Sequence, residues 1–214
     1  MYKFLLPALG VCMIAAPAVA GQSHMTTASI TSQPIGHYRF CQQFPDECKD
    51  TAIITKAPRL TRKGWADIVE INNFANTSIL PVTDQELYGV EEHWTYPEHE
   101  GDCEDYVLLK RHMLMQRGWP ASSLLITVVK QDNGDGHAVL TVRTDKADYI
   151  LDNLEDKVKP WYKTPYLYVK RISTKHSGLW TDIRDNRREL AKKRLQQLRS
   201  KAAGSTRVRK QKRG

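Results

Sequence analysis

Cysteine is scarce in this sequence of 214 residues: Cys12, Cys41, Cys48 and Cys103 are the complete set. That is too few to substitute for a hydrophobic core, and the length suffices for one domain with a core of its own. No His or further Cys is read at ligand spacing around Cys41 and Cys48, which argues against a zinc site. Beyond the N-terminus no apolar stretch approaches the ~20 residues of a membrane-spanning helix. Internal repeats are absent. Acids almost vanish from the end of the chain: residues 183–214 carry 13 Lys or Arg and 2 acids, while the rest carries 19 basic and 22 acidic residues. The formal net charge of +8 is therefore a property of the tail, and the body is mildly acidic.

The N-terminus places Lys3 before an apolar run from Phe4 to Ala16, followed by Ala18-Val19-Ala20. This order marks residues 1–20 as a secretory signal peptide cut after Ala20. Pro7 and Pro17 break the run as a membrane span, and Val11 before Cys12 is a poor fit to a lipid-attachment site. The mature chain is thus expected in the periplasm or secreted, where disulfides persist. Cys41 and Cys48, with Pro45 turning the chain between them, are the expected disulfide, leaving Cys103 as the free thiol.

Residues 21–36 are small and polar and read as a flexible leader. The segment 38–55 reads as an irregular loop holding the cysteine pair. A helix is expected from Thr61, a capping residue, to about Ile79, with Trp65, Ile68, Ile71, Ala75 and Ile79 at helical spacing. Thr83-Asp84-Gln85-Glu86 begins a short helix that Gly89 stops. The stretch Leu124–Val129 reads as a buried strand, His137–Val142 as a second and Asp148–Asp152 as a third, with turns at 133–136 and 144–146. One or two more strands are expected between Trp161 and Ile172, and Trp180 closes the domain over 37–182. Helices first and an antiparallel meander afterwards make the class α+β. The tail, 183–214, reads as a basic helix to about Ala203 and a charged end, suited to an anionic membrane surface. Nucleic acid is an improbable partner for an exported chain.

The chemistry concentrates at Gly101-Asp102-Cys103-Glu104-Asp105-Tyr106. No Gly or Pro follows until Gly118-Trp119-Pro120, so Cys103 is expected in the first turn of a largely buried helix. Free N–H groups and the positive end of the helix dipole favour a thiolate there. A cysteine nucleophile needs a base, and the base an orienting group. His137 opens one strand and Asp152 closes the next. A hairpin turning at Thr144-Asp145 sets them directly opposite, and one turning at Asp145-Lys146 makes them diagonal neighbours on the same face. A three-residue loop centred on Asp145 would put them on opposite faces. The plainer alternative is a solvated His and Asp at two strand ends. His93-Trp94-Thr95-Tyr96-Pro97, just ahead of the helix, is either core packing or one wall of a cleft beside the thiol.

Gly-Asp-Cys-Glu-Asp-Tyr, then Gly-His-Ala-Val-Leu, then Leu-Asp-Asn, in this order and spacing, resemble the bacterial transglutaminase-like cysteine peptidases. The resemblance covers roughly Tyr38 to Ile183. It implies a papain/transglutaminase-like core, with Cys103 as nucleophile, His137 as general base and Asp152 as orienter. It also implies a protein substrate: the LapG-type periplasmic branch cuts large surface adhesins. The compact segment before the cysteine and the basic tail depart from that branch.

Asp102, Glu104 and Asp105 crowd the thiol, and negative charge nearby raises a thiol pKa. One reading is helix capping by Asp102. The other is a Ca²⁺ site, because hard cations take carboxylate oxygens. The cluster lacks the spacing of an EF-hand loop, but the LapG-type resemblance implies calcium dependence. A transglutaminase or amidase on the same three residues, and a non-catalytic envelope-binding module using the tail, are the competing functions.

Overall fold

Strand-forming and helix-forming patterns are separated along this chain, and the computed structural model follows that separation. The structure describes residues 23–49, 56–187, 189 and 196. The segment expected to be a signal peptide and most of the basic tail lie outside them. Among the described residues no helix is long and apolar enough to cross a membrane.

Four helices come early: α1 (Ile35–Gln43), α2 (Arg62–Ser78), α3 (Asp84–Tyr88) and α4 (Cys103–Gln116). The strands are β1 (Thr27–Thr31), β2 (Leu80–Pro81), β3 (Glu100–Gly101), β4 (Leu124–Lys130), β5 (Gly136–Arg143), β6 (Asp148–Leu151), β7 (Lys159–Pro160), β8 (Leu167–Ile172) and β9 (Trp180–Ile183). β2 and β3 form a small parallel pair, and the other seven an antiparallel sheet in the order β1-β9-β8-β4-β5-β6-β7. The expected meander is therefore β4 to β7 only. β8 returns to pair with β4 on the other side, which places the longest apolar strands at the centre.

Helix α2 starts where Thr61 accepts from the Gly64 N–H at 3.0 Å. Ile68, Ile71 and Ala75 are fully buried. Trp65 instead lies at the rim, its ring 5.2 Å from that of Tyr149. Helix α3 has a capping box between Thr83 and Glu86 and ends at Gly89 with φ 69°, a conformation glycine adopts without strain. α2 and α4 pack with one face of the sheet around Ile68, Ile71, Leu108, Leu114, Ile126 and Leu140. The opposite face gathers Met25, Val129, Val139, Ile150 and Trp161. Alternate residues of β5 serve the two clusters, as the two-residue period of a strand requires.

Two sequence expectations are corrected here. Residues 27–31 are not a flexible leader: they form the edge strand β1, paired to β9. Small polar residues with Ile30 suffice for an edge whose burial comes only from its neighbour. The cysteine segment is not an irregular loop either. Cys41 lies in α1 and Cys48 ends a 3₁₀ turn, Pro45–Cys48. α1 has no side-chain cap, so its start carries no sequence signal; His37 and Phe40 hold it by burial. Arg111 of α4 reaches under this region, donating to Glu47 at 2.6 Å and to the Ser177 hydroxyl at 3.1 Å.

Candidate active site

Cys103 is the first residue of α4 and half-buried. Its Sγ accepts from the backbone N–H of Ala138 at 3.4 Å, so the thiol sits against the residue that follows His137. The β5–β6 pairing aligns Leu140 with Leu151 and Arg143 with Asp148. This is the diagonal register, and it sets His137 and Asp152 on one face. His137 Nε2 lies 2.8 Å from Asp152 Oδ1, with both side chains buried. That bond engages Nε2 and leaves Nδ1 for another partner.

Asp152 is held from several sides. Its Oδ2 accepts from the Tyr166 hydroxyl at 2.5 Å, and Oδ1 also accepts from the Leu154 N–H at 3.0 Å. Its own N–H donates to Asn72 Oδ1 at 3.1 Å, and its carbonyl accepts from Asn76 Nδ2 at 2.8 Å. Burial alone would raise the carboxyl pKa, but the bonds from His137, Tyr166 and Leu154 outweigh it and hold the group below its ordinary value. Sequence reading missed Tyr166, Asn72 and Asn76. The two asparagines do leave a trace: they stand four residues apart on α2, and Asn72 occupies a fully buried position on a face of Ile68, Ile71 and Ala75.

The preference for a thiolate that the helix dipole gives is opposed here. Burial pushes the Cys103 thiol well up, the Glu104 charge beside it adds to this, and the thiol donates to Glu104 Oε2 at 3.0 Å. The dipole effect is worth about 0.3–1 kcal/mol at a typical site, too little against burial beside acids.

Those acids are arranged differently from the sequence reading. Asp102 makes no side-chain cap to α4; its Oδ2 accepts from the Asp84 N–H at 3.4 Å. Carboxylate oxygens of Asp84, Asp102 and Glu104 lie within 4.8 Å of one another. Asp105 is not in the group: its Oδ1 accepts from the Thr95 N–H at 2.9 Å and pins the loop ahead of α4. Burial raises Asp84, takes Glu104 to about 9 with help from Asp102, and takes Asp105 to about 8 against the Thr95 bond. Between Gly64 and Leu109 the chain has 11 acids and no Lys or Arg; Asp67 and Glu70 are paired by Lys63 and Arg117 from outside it.

Of the two readings of its stretch, Trp94 takes core packing: it is buried against His37, with ring centroids 5.4 Å apart. His37, overlooked as a neighbour of the cysteine pair, clusters with Cys41 and Cys48. The two sulfurs are bonded to each other at 1.98 Å, so their lone pairs are not those of metal-binding thiolates.

A profile of the family described as bacterial transglutaminase-like cysteine proteinase matches residues 27–188. The chain belongs to that family. It is therefore a cysteine peptidase with an α+β fold, and its substrate class is protein. The match begins at β1, confirming that this strand is part of the domain. Among solved structures, calcium-bound LapG of Legionella pneumophila is 23% identical, covering 70% of this chain and 81% of that one at a TM-score of 0.47. LapG of the same organism without that qualifier is 24% identical, with 70% and 80% covered, and EGTA-treated LapG is 24% identical, with 70% and 79% covered; both have a TM-score of 0.47. A search of curated protein sequences finds no match.

Proposed function

We propose that this peptidase is an exported endopeptidase in which Cys103 attacks a peptide carbonyl, His137 transfers the proton and Asp152 orients His137. The observation that carries the reading is the Ala138 N–H bond to Cys103 Sγ beside the 2.8 Å His137–Asp152 pair. With Nε2 engaged by Asp152, Nδ1 is the nitrogen that takes the Cys103 proton. The sulfur then bonds to the carbonyl carbon, and the charge moves to the carbonyl oxygen. The Cys103 N–H, at the start of α4, donates to that oxyanion. The imidazolium returns its proton to the leaving amine, and a thioester remains. Water, deprotonated by His137, hydrolyses the thioester and restores the thiol. Lys3, the apolar run after it and Ala18-Val19-Ala20 support export, and a surface or envelope protein is the fitting substrate.

The acids beside Cys103 fit a divalent cation. Asp84 Oδ1 and Asp102 Oδ1 are buried without a hydrogen-bond partner. Three carboxylates share this space, and an all-oxygen donor set suits Ca²⁺. Asp84, Asp102 and Glu104 would hold the ion, which would supply positive charge against the acids that oppose the thiolate. The net charge of the tail supports attachment to an anionic membrane surface.

The test traps partners from the native envelope on a Cys103→Ala chain and offers each to the wild type. Cleavage by the wild type and none by Cys103→Ala or His137→Ala is the expected result. Incorporation of a fluorescent primary amine instead of cleavage would move the reading to a transglutaminase. Full cleavage by His137→Ala would remove the mechanism.

A further inference from the structure

Arg143 ends β5, six residues after His137, and a strand advances ~3.3 Å per residue. It therefore stands roughly 20 Å from the thiol chemistry, at the other end of the sheet. Its cross-strand partner in register is Asp148, and facing residues of a pair normally meet. Here they form no ion pair, because Asp148 is saturated by others. Oδ2 accepts from the Met25 N–H at 2.9 Å and from Arg171 at 3.0 Å, and Oδ1 lies 3.0 Å from His24 Nδ1.

Among the described residues neither Arg143 nor Lys175 is paired with an acid. Arg171 is buried; burial lowers its pKa first, Asp148 resists, and the charge of Arg143 adds to the lowering. Arg143 and Arg171 both line one cavity of about 420 Å³, together with His24, Lys175 and the hydroxyl-bearing Thr27 and Thr181. Two arginines, a lysine and hydroxyls, with no acid among the described lining residues, suit a tetrahedral or planar oxyanion. Arg171 is already paired with Asp148 at 3.0 Å, so Arg143 brings a second positive charge to the same cavity beside a pair that is complete without it.

We propose that this cavity between β1, β8 and the end of β5 is an oxyanion site that takes a phosphate group through Arg143, Arg171 and Lys175. It is separate from the Cys103 site. Its ligand is a phosphate carried by a small molecule or by a lipid headgroup, and Ile30 and Leu179, exposed at the rim, would meet the acyl region in the second case.

The full mature chain is titrated with inorganic phosphate by calorimetry, and separately with phosphatidylglycerol vesicles. Wild type is expected to bind phosphate at one saturable site, and Arg143→Gln and Lys175→Gln each to weaken it at least tenfold. Lys192→Gln, an equal charge change in the tail, leaves it unaltered, and the alkylation rate of Cys103 is the same in all chains. Vesicle binding with the same Arg143 dependence identifies a headgroup, and phosphate binding that vesicles do not compete for identifies a free phosphate; both support the site. Phosphate binding that is absent, insensitive to Arg143→Gln and Lys175→Gln, or equally reduced by Lys192→Gln overturns it.

Discussion

The hydroxyl of Tyr166 donates to Asp152 Oδ2 at 2.5 Å, on the carboxylate edge opposite the one that meets His137. The same ring tilts against the His137 imidazole, with centroids 5.6 Å apart. One side chain thus touches both partners of the pair. Burial and the Asp152 charge both push the phenol pKa upward, so it stays a donor. A hydrogen bond to a charged group is worth about 1.5–3 kcal/mol. Tyr166→Phe should therefore slow iodoacetamide alkylation of Cys103 by about tenfold or more and lower stability by about 1–3 kcal/mol, because Asp152 Oδ2 loses its donor. An unchanged alkylation rate would make Tyr166 a packing residue only.

Within the proposed triad the losses should be unequal. Cys103→Ala and His137→Ala are expected to remove turnover, while Asp152→Asn retains more, because the orienter is the least costly of the three to lose. Circular dichroism should show all three folded. Asp152→Asn as inactive as Cys103→Ala would mean that Asp152 does more than orient.

Calcium should govern the thiol. In EGTA, alkylation of Cys103 is expected to need strongly alkaline pH, since burial and Glu104 hold the thiol well above its ordinary value. Ca²⁺ should move the reaction toward neutrality, and Mg²⁺ should not, because it keeps its water and demands tighter geometry. Asp84→Asn and Asp102→Asn should blunt the Ca²⁺ effect, whereas Asp105→Ala should act through loss of the Thr95 contact and lower stability. A pH–rate curve identical in EGTA and Ca²⁺ would leave these acids without a cation. Cys103 should be the sole labelled thiol of the mature chain, because Cys41 and Cys48 are bonded.

Lys110 offers a test by stability. It is fully buried on α4, its Nζ has no hydrogen-bond partner, and burial lowers its pKa to about 7 against the pull of Asp152. The unfolded chain binds this proton up to about pH 10.5, the folded chain only to about 7. Between those values the unfolded state holds more protons, so this group makes stability rise with pH, and below about 7 its penalty is fully present. Lys110→Met keeps the packing and should stabilise the fold at pH 7 by about 1–3 kcal/mol, the typical cost of an unpaired buried group. It should also flatten the rise toward pH 10. Denaturant midpoints across that range provide the measurement, and a destabilised Lys110→Met chain would show that Lys110 has a partner worth its burial.

The local pattern of the sequence was enough for the elements that carry the chemistry. Thr61 and Thr83 start helices, Gly89 and Gly118 stop them, and alternation along 124–151 gives three strands, because caps and periodicity act over a few residues. The register of β5 on β6 was narrowed to alternatives, two of which put His137 and Asp152 on one face; hydrogen bonding across the finished sheet chose the diagonal one. Tertiary structure alone decided the rest. It brought Asn72 and Asn76 to Asp152 from α2, and Tyr166 from the residue just ahead of β8. It exchanged Asp105 for Asp84 in the acid cluster and tied Asp105 to Thr95 instead. It also set burial against the dipole at Cys103: a helix dipole can be inferred from a helix start, but desolvation depends on what the rest of the chain lays over the thiol.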